Sequence, residues 1–305
     1  MKYQHILMSL ALLLAFNSNA QQEANFSFQS FNPLSINSGY AGVNEGLNCM
    51  MIERAQWISV PGHPRSSAVT VDSPLRGYNL AAGVTFTTDQ IGPARSTSFS
   101  ADFAYRLYLT NKTRLAFGIK GSLTSQTLRF SELQNIDQTD FNFSQDIQFK
   151  VQPNIGFGAY LWNEKYFVGL SSPHLLKQKT EDINNIGFGT SQQHMYAYGG
   201  VVIDLNEKLK LKPTALIRHT QGAPIAIDMN TSLLINQRLW VGAGYRYKQA
   251  WGTNLMLMIN EKFKLGYAYE RSHTNIQTYT GGTHEVLLGF LFKYKDRGSF
   301  NRIYF

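Results

Sequence analysis

Apolar and polar residues alternate along most of the chain, in runs of about ten residues separated by short polar turns. The turn at 206–208 reads Asn-Glu-Lys, and the same tripeptide recurs at 163–165 and 260–262. Beside the turn at 206–208, apolar residues such as Leu205 and Leu209 alternate with polar ones. A period of two places successive side chains on opposite faces of a strand, and Asn tolerates the left-handed backbone that tight turns need. The pattern predicts antiparallel strands joined by short turns.

About fourteen such strands fit between residues 47 and 294, an even number in the range of bacterial outer-membrane barrels. Their connections alternate in length. Short turns such as 163–165 follow one end of the strands, and longer loops such as 88–96, 125–147 and 172–195 follow the other. Outer-membrane barrels have short periplasmic turns and longer external loops. The predicted fold is therefore an all-β, transmembrane, antiparallel up-and-down β-barrel with both termini in the periplasm.

Each strand carries an apolar face and a polar face. Phe103 and Tyr105 share one side of a strand, and Asp102 and Arg106 share the other. A secreted sandwich would bury the apolar face, whereas a membrane barrel turns it towards lipid. Aromatic residues near strand ends suit the membrane interfaces and favour the barrel; they are Trp57, Trp162, Tyr166, Trp240, Trp251 and Phe263. The charged residues predicted to face the lumen are Asp102, Arg106, Lys120, Lys210, Lys212, Arg218, Arg246 and Glu270.

The two ends of the chain lack the strand pattern. Residues 1–20 combine a basic start, an apolar run and a small-residue site ending at Ala20, which predicts a signal peptide cleaved after that residue. The remaining chain divides into a periplasmic leader or plug at 21–46, the barrel at 47–294 and a periplasmic tail at 295–305. Cys49 is the only cysteine, so neither a lipid-modified start nor an internal disulfide is expected.

Composition and motifs argue against most catalytic chemistry. The 28 Lys and Arg against 20 Asp and Glu give a net charge of +8, but the basic residues form no run, so no nucleic-acid partner is predicted. The sequence has no G-x-S-x-G, P-loop, H-E-x-x-H or paired C-x-x-C motif, so no enzymatic activity, cofactor or metal site is predicted. Two weaker metal candidates are the loop histidines His273 and His284 and the loop carboxylates Asp137, Asp140 and Asp146.

Three motifs carry a resemblance to a known family. Residues 31–42 read Phe-Asn-Pro-Leu-Ser-Ile-Asn-Ser-Gly-Tyr-Ala-Gly, residues 54–57 read Arg-Ala-Gln-Trp, and residues 89–93 read Asp-Gln-Ile-Gly-Pro. The chain thereby resembles the PorP/SprF family, outer-membrane proteins tied to the type IX secretion system of Bacteroidetes. Ser38 and Gly39 stand where the family has Pro-Ala. The family-motif residues assigned to partner binding or to plugging the barrel are Phe31, Asn32, Pro33, Asn37, Tyr40, Ala41, Gly42, Arg54, Trp57, Asp89 and Gly92.

The resemblance implies a non-enzymatic barrel in the bacterial outer membrane. It would assist type IX secretion, surface attachment of cargo or gliding adhesin function by binding partners. The implied partners are outer-membrane lipid, the type IX secretion machinery or its secreted cargo, and a periplasmic component linked to peptidoglycan. The alternative is a passive porin for small anions. For the leader, the hypothesis is that it packs into or across the periplasmic mouth and closes it; the alternative is that it only leads into the first strand.

Overall fold

The computed structural model describes residues 25–75, 78–132, 146–182 and 187–294. The predicted signal peptide, the tail at 295–305 and the loop carboxylates Asp137 and Asp140 lie outside these residues. The described chain consists of β-strands, their connections and a few short 3-10 helices. Within it, no helix has the length and apolar character needed to cross a bilayer.

Strands account for most of the described chain. In chain order they are β1 (Gly46–Ala55), β2 (Arg65–Pro74), β3 (Leu80–Ile91), β4 (Ala94–Tyr108), β5 (Arg114–Leu128), β6 (Ile147–Gln148), β7 (Gln152–Trp162), β8 (Tyr166–His174), β9 (Lys179–Glu181), β10 (Gly187–Thr190), β11 (His194–Val201), β12 (Ile203–Asp204), β13 (Leu209–Thr220), β14 (Ala226–Ile235), β15 (Leu239–Arg246), β16 (Ala250–Met258), β17 (Phe263–Ser272) and β18 (Thr283–Lys293). Four of these, β6, β9, β10 and β12, are short pieces that pair locally. The other fourteen build the barrel wall.

The fourteen long strands form one closed antiparallel sheet. Each pairs with the next long strand along the chain, from β1–β2 through β17–β18. Closure comes from β18, which pairs with β1 in an unbroken register from Gly46↔Lys293 to Ala55↔His284. None of the fourteen described wall strands is left at an edge, so the wall satisfies its own backbone donors and acceptors. The prediction of a closed barrel of about fourteen strands is confirmed.

The two ends of the barrel carry different connections. We call the end that carries 109–113, 163–165, 236–238 and 259–262 the short-turn rim, and the end at which β1, β5, β8 and β17 finish the long-loop rim. The long loop expected at 88–96 is wrong. Strand β3 runs to Ile91 and β4 begins at Ala94, so only Gly92 and Pro93 turn the chain there. Gly92 has a φ of +55°, a conformation open to glycine, and the Thr and Ser residues on either side continue the strand alternation.

The three Asn-Glu-Lys turns share one hydrogen-bonding pattern on the short-turn rim. The Asn163 side-chain oxygen accepts the backbone N–H groups of Lys165 and Tyr166, both at 2.8 Å. Asn206 and Asn260 do the same for the residues two and three positions further along the chain. The amide side chain thus replaces a backbone acceptor in the turn, which gives the recurrence of this tripeptide a physical reason.

Large apolar side chains cover the outside of the wall. Ile119 is 63% exposed, Leu170 58% and Phe103 56%. Their neighbours Lys120 and Asp102 point the other way and are buried. This is the inverse of a soluble sandwich, because the apolar face looks outward and the charged face looks inward.

Two of the aromatic residues expected at the membrane interfaces lie elsewhere. Trp162 and Trp240 are fully buried inside the barrel, so that expectation is wrong for both. They share strand parity with inward-facing residues, and parity decides which face a side chain takes. Trp251 and Phe263 have the opposite parity and are exposed on the outer surface.

The outward apolar face generates a stability prediction. Ile119 lies near the middle of β5 on the outward apolar face, so Ile119→Arg places a charge where we expect the bilayer core to contact the wall. We expect a loss of about 2–4 kcal/mol in the free energy of unfolding, measured by denaturant titration in lipid vesicles. The matched control is Glu207→Arg in an exposed turn, for which we expect a change within about 0.5 kcal/mol. Equal effects at the two positions would contradict the lipid-facing assignment.

Candidate functional site

The leader segment, residues 25–45, lies inside the barrel. It is folded into three single-turn 3-10 helices, Gln29–Phe31, Pro33–Ser35 and Ser38–Tyr40. Its apolar side chains are all buried against the inner wall; they are Phe26, Phe28, Phe31, Leu34, Ile36, Tyr40, Ala41 and Val43. They pack in two clusters with inward-facing wall residues on opposite sides of the lumen. The leader is therefore the hydrophobic core of a barrel whose wall turns most of its own apolar residues outward.

Local chemistry explains why the leader folds as tight turns. Pro33 opens the second 3-10 turn, where its fixed φ and missing N–H carry no penalty. Asn37 caps the third turn: its Oδ1 accepts the Gly39 N–H at 2.8 Å. The Asn37 Nδ2 donates at 3.0 Å to the Ala159 carbonyl of the wall. One side chain thus caps the turn and fixes it to strand β7.

Glycines in the wall make room for the third turn. A Cβ at Gly118 would collide with the backbone of Ser38, and a Cβ at Gly158 would collide with the Asn37 side chain. These two glycines face each other across β5 and β7. A third glycine, Gly266, lies where an added Cβ would come within 2.8 Å of the Phe28 ring. The wall is therefore shaped to the leader, since each of these positions leaves space that leader atoms occupy.

A chain of buried and half-buried ion pairs lies near the long-loop rim. We call it the charge belt, and it consists of Arg218, Asp228, Arg246, Glu270, Arg54 and Glu285. In that order, consecutive members are linked by N–O distances of 3.0, 3.2, 3.1, 2.9 and 3.0 Å. The belt balances three guanidinium groups against three carboxylates in a protein interior, where unpaired charges are costly.

The N-terminal part of the leader binds to the charge belt. The Glu285 carboxylate accepts the backbone N–H groups of Ser27 at 2.7 Å and Phe28 at 2.8 Å. Arg54 donates to the Ser27 hydroxyl at 3.0 Å, and Asn25 donates to Asp228 at 3.4 Å. The hydrogen bonds to Glu285 are charge-assisted and bind two successive amides, so this end of the leader has a defined position.

The C-terminal part of the leader binds polar groups near the short-turn rim. Asp72, close to the end of β2, accepts the Gly42 N–H at 2.8 Å, and Arg106 donates to the Gly42 carbonyl at 3.3 Å. Glu45 pairs with Arg114 at the start of β5. Gly42 has a φ of +72°, and a Cβ there would collide with the side chain of Ala81, so glycine is required on both counts.

Two buried lysines contact the middle of the leader. The Lys120 ammonium lies 2.9 Å from Asp102 and donates to the Leu34 carbonyl at 3.4 Å. The Lys212 ammonium lies 3.7 Å from the centre of the Phe31 ring and 5.2 Å from that of Trp240. A cation over an aromatic face in a desolvated site is attracted by the ring quadrupole. Each lysine therefore belongs to a strand of the wall and also contacts the leader.

The predicted site residues fall into four places. Those in the leader, namely Phe31, Asn32, Pro33, Asn37, Tyr40, Ala41 and Gly42, are buried in the lumen, as are the wall residues Arg54, Asp102, Arg106, Lys120 and Lys212. Arg218, Arg246 and Glu270 belong to the charge belt. Lys210 pairs with Asp204 near the short-turn rim. Trp57, Asp89 and Gly92 lie at the long-loop rim, where Asp89 accepts a hydrogen bond from Ser66.

Sequence reasoning missed several residues that contact the leader. Glu285, Asp72, Gly118 and Gly158 were not predicted to contact the leader, although each has the strand parity of inward-facing residues. The alternation of inward and outward positions along each strand was therefore the available signal. It does not distinguish inward residues that contact the leader from those that contact one another.

The loop histidines have other partners, and of the three loop carboxylates only Asp146 lies in the described residues. His273 stacks on Tyr245, and His284 is hydrogen-bonded to Tyr267 at 2.7 Å. No group of three or more metal-binding side chains occurs in the part of the chain that the structure describes. Asp146 accepts hydrogen bonds from the backbone N–H and hydroxyl of Ser131, at 3.0 and 3.1 Å, and these bonds hold the pKa of its carboxyl below the usual range.

Comparison with known proteins identifies the family. The model of the family described as type IX secretion system membrane protein PorP/SprF matches residues 18–290. The match spans the leader and nearly the whole barrel. The chain belongs to the PorP/SprF family. Membership associates it with type IX secretion and with Bacteroidetes, and together with the barrel fold it makes this an outer-membrane protein of that secretion system. A search of curated proteins found no match.

Solved outer-membrane barrels are similar in architecture only. Omp33 of Acinetobacter baumannii has 12% identity and a TM-score of 0.47, covering 82% of this chain and 100% of its own. A FadL homologue of Pseudomonas aeruginosa has 11% identity and a TM-score of 0.46, covering 91% and 95%. A TodX variant, a monoaromatic hydrocarbon channel, has 9% identity and a TM-score of 0.49, covering 89% and 95%.

The wall glycines that contact the leader predict different effects for two alanine variants on one strand, β5. Gly118→Ala forces the third leader turn away from the wall, whereas Gly121→Ala adds a methyl group with no atom within 4 Å. We expect Gly118→Ala to cost about 1–3 kcal/mol of unfolding free energy and to speed amide hydrogen exchange in residues 33–41. Gly121→Ala should leave both the unfolding free energy and the exchange rates unchanged. If Gly118→Ala exchanged like the wild type, the leader would not be seated against β5.

The charge belt predicts different effects for a second pair of variants, one in the belt and one control outside it. Glu285→Gln removes the charge that faces Arg54 and weakens acceptance of two leader amides, while Glu270 still pairs with Arg54. We expect a loss of about 3 kcal/mol in unfolding free energy in vesicles. Glu53→Gln, on the exposed outer face of β1, should cost less than about 1 kcal/mol. A loss at Glu285 no larger than that at Glu53 would refute a structural role for the belt.

Proposed function

We propose that the protein is a non-enzymatic, occluded outer-membrane barrel that assists type IX secretion by binding partners. The process that it assists is export of cargo, attachment of cargo to the cell surface or gliding adhesin function. The partners are the secretion machinery or its secreted cargo, together with a periplasmic component linked to peptidoglycan. Lipid contacts the outer wall. The leader acts as a resident plug, and the predicted signal peptide is cleaved after Ala20 before assembly.

The observation that carries this proposal is the filled lumen. Two buried clusters, each containing leader and wall residues, occupy the interior where an open channel would run. A porin of this strand number would need a continuous aqueous path, and its lining residues would be hydrated rather than packed. A barrel whose centre is a packed core instead offers its rims and loops as the available binding surfaces.

The electrostatics of the lumen point the same way. An anion channel would present unpaired positive charge along its path. Here the three arginines of the charge belt face three carboxylates, and Lys120 faces Asp102. These four cations and four carboxylates therefore cancel locally, which supports a structural use for them over attraction of small anions.

Conductance in planar bilayers tests occlusion against the alternative, a passive anion porin. We expect the purified full-length protein to show no stable open state. The double variant Gly118→Val/Gly158→Val, which displaces the third leader turn, should conduct in bursts, and Gly121→Val should behave like the wild type. A steady, anion-preferring conductance from the wild type would overturn the occluded barrel and favour the porin.

Secretion by cells tests the role itself. A strain that lacks this protein should fail to export or retain at least one type IX cargo at its surface, and the wild-type gene should restore it. Normal secretion and surface retention of all cargo, compared by proteomics of the medium and cell surface, would refute the proposed role. That result is independent of the conductance measurement.

A further inference from the structure

The outward face of the barrel wall carries very few charged residues. The fourteen wall strands are all described, and their outward positions hold one carboxylate and three guanidinium groups. These residues are Glu53, Arg65, Arg95 and Arg271. Each lies within three residues of the end of its strand at the long-loop rim. Charges on a lipid-facing surface are least costly near the membrane interfaces, and here the positive excess is confined to the side of the long loops.

Arg65 and Arg95 lie in one row with Gln90 across three neighbouring strands. Gln90 of β3 is the register partner of Arg65 on β2 and of Arg95 on β4. The two arginines are therefore about 10 Å apart, two strand spacings, with their side chains on the same outward face. Both side chains are exposed, and within the described residues they make no ion pair or hydrogen bond. Glu53 on the adjacent β1 accepts a hydrogen bond from Ser67 at 2.6 Å and leaves both guanidinium groups unpaired.

Two further rows follow on the same three strands towards the middle of the barrel. The first consists of hydroxyl side chains and the second of exposed apolar ones; they are Ser67, Thr88 and Thr97, then Val69, Phe86 and Phe99. The apolar row is four residues from the arginines, roughly 13 Å along a strand and about 10 Å along the axis of a barrel with tilted strands. The headgroup region outside the hydrocarbon of each leaflet is roughly 5–8 Å thick. The arginines therefore lie at the depth of the lipid headgroups when the apolar row contacts acyl chains.

The chemistry of the arginine row suits a phosphate group. A guanidinium group presents a planar fork of N–H donors that matches phosphate oxygens, and two such groups beside the Gln90 amide can converge on one anion. The long apolar stems of the arginines let their charged heads reach the headgroup layer. An acidic soluble protein fits this position less well, because the surface directly beside the row is the apolar face that we assign to lipid.

We infer that Arg65, Gln90 and Arg95 form a binding site for the phosphate of a membrane lipid in the leaflet beside the long loops. The two guanidinium groups bind the phosphate, and the acyl chains of the same lipid lie on Phe86 and Phe99. The site rests on the proposed contact between lipid and the outer wall, to which it adds a specific headgroup. The bound lipid fixes the depth of β2, β3 and β4 in the membrane.

Native mass spectrometry of the purified full-length barrel, released from detergent micelles, tests the site with a matched pair of lipids. Dioleoyl phosphatidic acid carries the phosphate, and dioleoylglycerol has the same acyl chains without it. We expect the wild type to bind phosphatidic acid at least about tenfold more tightly than dioleoylglycerol. The variant Arg65→Gln/Arg95→Gln should lose at least about tenfold in affinity for phosphatidic acid, because its charge-assisted hydrogen bonds are gone. Its affinity for dioleoylglycerol should equal that of the wild type.

The control variant Lys112→Gln/Arg238→Gln removes two exposed cations from the short-turn rim, so its net charge equals that of the first variant. It should bind phosphatidic acid like the wild type, and equal losses in the two variants would reduce the site to general attraction of anions and refute it. Inorganic phosphate at the same concentration should not displace the lipid, since it has no acyl chains. Displacement would indicate a site for a free ion and overturn the lipid site. Heat-modified migration on gels checks that each variant has folded.

The outcome is independent of the proposed secretion role. A wild type that binds phosphatidic acid no better than dioleoylglycerol overturns the phosphate site. The lipid-facing wall would still be tested by Ile119→Arg, and the secretion role by the strain that lacks the protein.

Discussion

The width of the barrel is the constraint on which the rest of this structure depends. A barrel of eight strands can fill its interior with its own side chains, whereas one of sixteen or more leaves an aqueous channel. Fourteen strands lie between these limits, and here the inner wall is lined by many small residues and charges that cannot fill the space. The leader supplies the missing volume. Its phenylalanines, Leu34 and Tyr40 do inside the barrel what a hydrophobic core does in a soluble domain.

Filling the lumen with backbone raises a second requirement, because the leader has no strand partners for its own N–H and C=O groups. Single 3-10 turns satisfy some of them internally, and wall side chains satisfy others. Glu285, Asp72 and Lys120 therefore each make two kinds of contact. Each belongs to or lies beside a buried ion pair or polar contact, and each also binds a leader backbone group. This is why charges are tolerated in a region that water barely reaches.

The same geometry constrains how the barrel can be assembled. The barrel closes where β1 meets β18, and the leader inside it contacts residues from both strands of that seam as well as from β5 and β7 on the far side. A segment held from all sides is difficult to insert after closure. The wall is more simply assembled around it, so that the leader and the closing strands depend on each other.

The sequence alone determined the strand pattern, the approximate number of strands and the family. These rest on a period of two, on turn chemistry and on motifs, all of which are local. It also indicated that residues 31–42 were distinctive. It could not determine the path of the leader, the charge belt or the inward placement of Trp162 and Trp240. Arg54 and Glu285 are separated by most of the chain and meet only because the sheet closes on itself. Contacts of that kind depend on closure and register, and no local pattern encodes them.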